Sequence, residues 1–369
     1  MILEMAIREN PAVAEQTRNP GHGLPPVLAI QNLVKRYGGE KVVDGVSLAV
    51  ERGDVVAILG PSGCGKTTTL RMIAGFEQPD AGTVSVAGQV VSEPGRCLPP
   101  ERRRMGMVFQ DGVLFPHMTV GENVGFGVHG SADRRQQVAA SLELVGLQGL
   151  ERRMPYELSG GQQQRVSLAR AIASNPDIIL LDEPFASLDS ALRIRLRADV
   201  RQILTELGVT VIWVTHDQEE ALSLADRVAV MFDGKILQDA APEELYHRPA
   251  SRIVGTFVGD AQFLSGTAQG RRVDCELGDL PTVGSAEGPV DVMIRPEAIR
   301  VAAQTEDVPA NATVLSRLFF GHDQLLRVSL DTGLALNVRL GSYGGIRPGD
   351  RVFVSVRGAV VTLPRVSDE

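Results

Sequence analysis

The chain has 369 residues, 43% of them hydrophobic, and a net charge of −8. That length accommodates two or three domains with ordinary cores. The acidic balance argues against a nucleic-acid binder running on bulk electrostatics and favours a small-molecule ligand or a protein partner. Its three cysteines, Cys64, Cys97 and Cys275, are odd in number and far apart. This suggests neither a disulfide framework nor a zinc cluster and fits a reducing cytosol. No stretch approaches the roughly 18 apolar residues of a membrane helix, so any work at a membrane requires other chains to cross it.

Residues 1–26 are polar and broken by Pro11, Pro20, Gly21, Gly23, Pro25 and Pro26, which reads as a flexible tail. From Val27 onward "VLAIQNLVKRY", "VVDGVSLAV" and "DVVAILG" read as strands separated by turn residues. Further on, helical stretches alternate with the apolar runs "DIILLDEP" and "VTVIWVTHD", the pattern of an α/β sheet with largely buried parallel strands. Past about residue 250 the helical pattern fades. "VDVMIRPEAIRV", "QLLRVSL", "ALNVRL" and "DRVFVSV" are short strands at β-barrel spacing, so a second, all-β domain is expected there.

"GPSGCGKTTTL", residues 60–70, fits the phosphate-loop pattern at Gly60, Gly65, Lys66 and Thr67. The apolar strand "VVAIL" precedes it and a helix follows, as the chemistry requires. Glycines let backbone N–H groups converge on phosphate oxygens at a helix N-terminus. Lys66 then reaches the outer phosphates, and the Thr67 hydroxyl is placed for Mg²⁺. Cys64 lies inside the loop, where it is either a small filler or a redox-sensitive thiol. "DIILLDEP" ends in Asp182 and Glu183, carboxylates at a strand's C-terminal end, where Mg²⁺ needs a ligand and water needs a base. A second glycine pair, in "LSGGQ" at residues 158–162, starts a helix without any lysine and leaves open whose phosphate it serves.

Together, the phosphate loop, "LSGGQ", "ILLDEP" and His216 in "VTHD" resemble the ATP-binding cassette (ABC) ATPase family over roughly residues 27–250. The resemblance implies a P-loop α/β domain with a mixed sheet and a helical subdomain at about 111–165. It answers the question of "LSGGQ": in that family the signature turn caps the ATP held by the opposite subunit. Residue by residue, it implies that Tyr37 stacks on adenine and that Gly60, Pro61, Ser62, Gly63, Cys64, Gly65, Lys66, Thr67 and Thr68 cradle ATP. Thr67, Gln110 and Asp182 are implied as the Mg²⁺ site, with Glu183 as general base and Gln110 and His216 completing the catalytic set. Ser159, Gly160, Gly161, Gln162 and Asp189 are implied to act across a homodimer interface.

Three classes compete for this cassette: a transport motor, a soluble ABC ATPase acting on ribosomes or DNA, and a module that only holds ATP. A soluble repair or translation protein usually carries two cassettes or a long coiled coil, and neither is present. The occupied catalytic positions disfavour a non-hydrolysing module. The motor reading implies a homodimer docked on two integral-membrane permease subunits, or one fused permease. It would work at the cytoplasmic face of the inner membrane with an extracytoplasmic solute-binding protein as indirect partner and no nucleic acid.

Residues 290–301, "VDVMIRPEAIRV", resemble the barrel-like (TOBE, OB-like) regulatory domain of import ATPases, over roughly 255–365. "GFEQPDAG", "LPPERRRMGMVFQ" and "FQDGVLFPHMTV", with Asp111-Gly112-Val113, look like the ferric-iron importer ATPases, while polyamine, sulfate and sugar importers remain alternatives. The run Arg102-Arg103-Arg104 reads as a solvated face.

Overall fold

The computed structural model describes residues 25–110, 114–128, 134–186, 190–304, 309–342 and 345–365. The expected tail up to residue 24, the Asp111-Gly112-Val113 segment and Asp189 lie outside the described residues. The chain forms two compact units that divide after Glu243.

The first unit holds two sheets. One is antiparallel, in the order β2 (Glu40–Val50), β1 (Leu28–Tyr37), β4 (Ala81–Val86), β5 (Gln89–Glu93) and β6 (Arg96–Cys97). The other is mixed. Its parallel members are β3 (Val55–Leu59), β7 (Met105–Val108), β8 (Ile178–Asp182), β9 (Thr210–Thr215) and β10 (Arg227–Phe232), and β11 (Lys235–Ala240) joins β10 antiparallel. The order across this sheet is β11-β10-β3-β9-β8-β7. Every residue of β3, β8 and β9 is buried, which explains why "VVAIL", "IILLD" and "TVIWVT" are continuous apolar runs rather than alternating ones. Helix α1 (Lys66–Ala74) packs on β2 of one sheet and on β8 and β9 of the other. Leu70, Met72 and Ile73 join both sheets in one core with Leu33, Val43, Ile58 and Val214.

Between β7 and β8 lie α2 (Val120–Val124), α3 (Arg134–Leu144) and α4 (Gly160–Ala173), which pack on one another, with α4 also against β7. Helices α5 (Ser190–Leu207) and α6 (Gln218–Leu224) flank β9 in sequence and contact each other.

The expectation of a solvated arginine run fails at its middle member. Arg103 is 2% exposed, and its guanidinium donates to the α1 carbonyls of Met72 and Ile73 at 2.9 and 2.7 Å. It also reaches Leu98 O, Val91 O and the Cys97 sulfur. Its planar fork thus satisfies the carbonyls that a helix end leaves unpaired and ties α1 to the edge of the antiparallel sheet. Burial lowers its pKa. Gly75, at φ 90°, is what admits it: a Cβ there would lie 2.4 Å from the Arg103 Nε. Arg102 and Arg104 are exposed as expected.

The division falls within α7 (Pro242–His247), and α8 (Arg252–Phe257) belongs to the second unit. The strands β12 (Gln262–Cys275), β13 (Gly278–Ile294) and β19 (Val361–Pro364) form one sheet. The strands β14 (Ile299–Ala303), β18 (Arg351–Val356), β15 (Ala312–Phe319), β16 (Asp323–Leu330) and β17 (Ala335–Gly341) form the other, in that order. Leu264, Val292 and Ile294 from the first share a core with Val314, Leu326 and Val354 from the second, as in a small barrel-like domain. In the "IRPE" stretch Arg295 is buried, stacks on the Tyr246 ring at 4.1 Å and donates to Tyr246 O and Gly255 O.

Replacing Arg103 by Met strands several buried acceptors, each worth about 1–3 kcal/mol. Arg103→Met is expected to lower the unfolding free energy by about 3 kcal/mol, and the exposed control Arg102→Ala to change it by less than about 0.5 kcal/mol. The check is the denaturant midpoint at unchanged slope.

Candidate functional site

The loop between β3 and α1 is built by steric exclusion. Gly65 sits at φ 103°, and a Cβ on it would lie 2.4 Å from Val42 O; a Cβ on Gly60 would lie 2.2 Å from Met231 O. Only glycine lets the chain run this close to β2 and β10. Lys66, 4% exposed, donates from Nζ to Gly60 O and Pro61 O, both at 2.8 Å, so an ammonium lies within the turn. Ser62 and Gly63 are exposed, and Cys64 is buried with Gly234 N donating to its carbonyl. Burial pushes the Cys64 thiol up, which suits packing better than thiolate chemistry.

The ends of β8 and β9 complete this corner. Asp182, 5% exposed, accepts from the Thr67 hydroxyl at 3.1 Å, joining the strand end to the loop. Burial raises its pKa, partly opposed by that hydrogen bond, while the neighbouring Glu183 charge raises it further. Glu183 has φ 44°, a left-handed backbone that costs about 1–3 kcal/mol in a non-glycine residue. Its N–H donates to Val214 O at 3.0 Å, which fixes the strained residue to β9. Its Oε2 lies 2.9 Å from Nδ1 of His216, whose ring is half exposed. Tyr37 is 45% exposed at the end of β1, and its hydroxyl interacts with Glu77 and with Thr68 of α1. Burial, first, and then Glu77 raise its pKa.

Of the remaining expected residues, Gln110 follows the end of β7, where Val108 pairs with Leu181 of β8, and the signature turn lies at the start of α4. Gln110 is exposed just past β7. Ser159 caps α4: its hydroxyl accepts from Gln162 N, and the Gln162 side chain accepts from Ser159 N at 2.9 Å. Ser159 and Gly160 are exposed, and Gly161 is buried. The turn therefore presents first-turn N–H groups that have no partner inside the helix. Its helix packs on α2, α3 and β7, whereas α1 packs on β2, β8 and β9.

Two features escaped the sequence reading. The strain at Glu183 has no sequence signal, since a residue before proline is biased towards extended backbone. Asn123 is fully buried; it accepts from Phe115 N at 2.8 Å and donates to Phe115 O, Met118 O and Thr119 O. It fixes the stretch from Phe115 to Thr119, and Phe126, 55% exposed, has its ring centroid 4.5 Å from that of Phe115. The T-x-x-E capping box at Thr119 and Glu122 was the available hint. Among the described residues, no helix is long and apolar enough to cross a membrane.

Residues 43–186 match the family described as ABC transporter, and residues 292–363 match the TOBE domain. The Fe(3+) ions import ATP-binding protein FbpC 2 of Rhodococcus jostii is 46% identical over 341 residues, covering 90% of this chain and 98% of that protein. The spermidine/putrescine import ATP-binding protein PotA of Rubrobacter xylanophilus is 41% identical, covering 94% and 96%. The structure of CbiO1 from Clostridium perfringens, part of an ABC transporter complex, matches with a TM-score of 0.55 at 30% identity, covering 60% of this chain and 90% of that one.

Proposed function

The chain belongs to the ABC transporter ATP-binding family, and from that premise we propose that it is the motor of a ferric-iron importer, acting as a homodimer on separate permease subunits. It is an ATP-hydrolysing transport ATPase. The observation that carries the catalytic reading is the convergence of Lys66, Thr67, Asp182, Glu183 and His216 at the C-terminal ends of β3, β8 and β9.

In this reading ATP lies along the loop, and Lys66 exchanges the Gly60 and Pro61 carbonyls for phosphate oxygens. Tyr37, half exposed beside α1, offers its face to adenine. The buried Asp182, already bonded to Thr67, fits a site for Mg²⁺, which typically takes one or two carboxylates plus substrate phosphates. With Gln110 these residues would hold the ion, which supplies neutralisation of the phosphate charge. Glu183 takes a proton from water as the water oxygen bonds to the γ-phosphorus; the bond to the β-γ bridging oxygen breaks and ADP leaves. His216 holds the Glu183 carboxylate and offers its other nitrogen to the γ-phosphate.

The signature turn of Ser159, Gly160, Gly161 and Gln162, with Asp189, serves the ATP of the partner subunit. Two loops rich in N–H groups then sandwich each nucleotide, so binding closes the dimer and hydrolysis reopens it. The exposed Phe126 and the Asn123-braced stretch from Phe115 to Thr119 offer a surface to the permease. The motor is held peripherally at the cytoplasmic face of the inner membrane, and a solute-binding protein delivers cargo outside. Iron is favoured by the similarity to the Rhodococcus Fe(3+) import protein; polyamine import is the second reading, favoured by the similarity to PotA.

Glu183→Gln is expected to reduce kcat by about 10²-fold or more while leaving ATP affinity near wild type, because it removes the base and keeps the shape. Lys66→Ala is expected to weaken ATP affinity instead. Steady-state hydrolysis and equilibrium nucleotide binding separate the two. The cargo is tested by ferric-iron uptake in cells lacking this chain, complemented by wild type or Glu183→Gln. Uptake restored only by wild type, and not competed by spermidine, is expected; no difference between the strains would discard iron.

A further inference from the structure

The turn that carries His216 is clamped by a buried ionic network that the mechanism above does not use. Arg197 of α5, 7% exposed, donates from Nη2 to Asp217 Oδ2 at 2.5 Å. Its Nη2 and Nε both reach Glu220 Oε1, at 3.0 and 3.3 Å, and its Nη1 lies 3.5 Å from Glu219 Oε2. Glu220, 4% exposed, accepts at Oε2 from the Thr215 hydroxyl at 2.7 Å. That hydroxyl in turn accepts from Asp217 N at 3.0 Å, and Asp217 Oδ1 accepts from Glu220 N at 3.1 Å. Arg193 adds a second cation 3.6 Å from Asp217 Oδ2.

Both sequence neighbours of His216 are therefore held in the network. His216 itself stays outside it and bonds to Glu183. A buried ionic cluster is a poor device for stability, because desolvation offsets most of the attraction, and well-packed apolar side chains often do as well. What a guanidinium adds is direction: a rigid fork that fixes two carboxylates at set angles. Here those carboxylates, through the Thr215 hydroxyl, set the backbone on either side of the histidine.

We propose that Arg197 is a positioning residue for hydrolysis: through Asp217, Glu220 and Thr215 it fixes the turn so that His216 Nδ1 stays on the Glu183 carboxylate. It touches neither the nucleotide nor the attacking water. The proposal rests on the roles given above to Glu183 and His216.

The test is a double-mutant cycle in the full-length chain, with wild type, Arg197→Met, His216→Ala and the double variant compared by kcat, KM and equilibrium ATP affinity. Arg197→Met is expected to lower kcat about tenfold or more, the scale of a small misplacement of a catalytic group, with KM and ATP affinity within about twofold of wild type. In the His216→Ala background the same substitution produces no further loss. Arg197→Lys, which keeps the charge but not the fork, falls between Arg197→Met and wild type. An equal fold-loss in both backgrounds, or a loss in KM and affinity rather than in kcat, would overturn the proposal and leave Arg197 merely structural. Wild-type kcat in His216→Ala would instead overturn the role of His216 and the proposal with it, a result read without any Arg197 variant. Should Arg197→Met not fold, Thr215→Val breaks the same network without unpairing the guanidinium from its carboxylates, and the same two patterns decide.

Discussion

A peptide loop can hold a triphosphate only where its N–H groups converge, and in this chain that convergence depends on backbone brought too close to its neighbours for any side chain. Gly60 and Gly65 lie where a Cβ would strike the carbonyls of Met231 and Val42. The loop is therefore defined by β2 and β10, one from each sheet, and its geometry requires both sheets to share a core. Helix α1 supplies that shared core through Leu70, Met72 and Ile73. Arg103 then holds the far end of the same helix by its carbonyls. The fold of the first unit can be read as what is needed to keep one loop in place.

Around that loop the electrostatics are arranged in opposition. A buried ammonium at Lys66, held by the Gly60 and Pro61 carbonyls, shares this corner with two adjacent acids whose surroundings differ. Asp182 is withdrawn from water and bonded to Thr67, which suits it to a cation. Glu183 sits on strained backbone and bonds to a half-exposed histidine, which suits it to move a proton. Adjacent residues at one strand end are suited to different roles because the left-handed turn at Glu183 points the chain away from the path of β8. The strain is retained by the bond from Glu183 N to β9.

The fold class and the motifs that build the candidate site were legible in the sequence because they rest on local rules. Buried parallel strands demand continuous apolar runs, and a phosphate loop demands glycines at fixed spacing ahead of a lysine. Arg103 was misread because a run of three arginines carries no sign of which one turns inward. That depends on Gly75 leaving room for it, a relation between distant residues. The network around Arg197 was illegible for the same reason: Arg197 lies on α5 and Asp217 and Glu220 at the start of α6, and their charges look like solvated helix faces until the two helices meet. The signature turn is the reverse case. Its role was reached by resemblance alone: Ser159 and Gly160 are exposed at the start of a helix that packs on α2, α3 and β7, and the role proposed for them requires a second copy of the chain.

That dependence on a second copy is the central claim, and it is tested most directly by the oligomeric state of Ser159→Arg in the Glu183→Gln background, measured by sedimentation with and without ATP and Mg²⁺. The account predicts that this variant still binds ATP, through its own intact phosphate loop, yet stays monomeric, because the cap it owes its partner is blocked. ATP-driven dimerisation equal to that of Glu183→Gln alone would contradict a signature turn that closes on the partner's nucleotide.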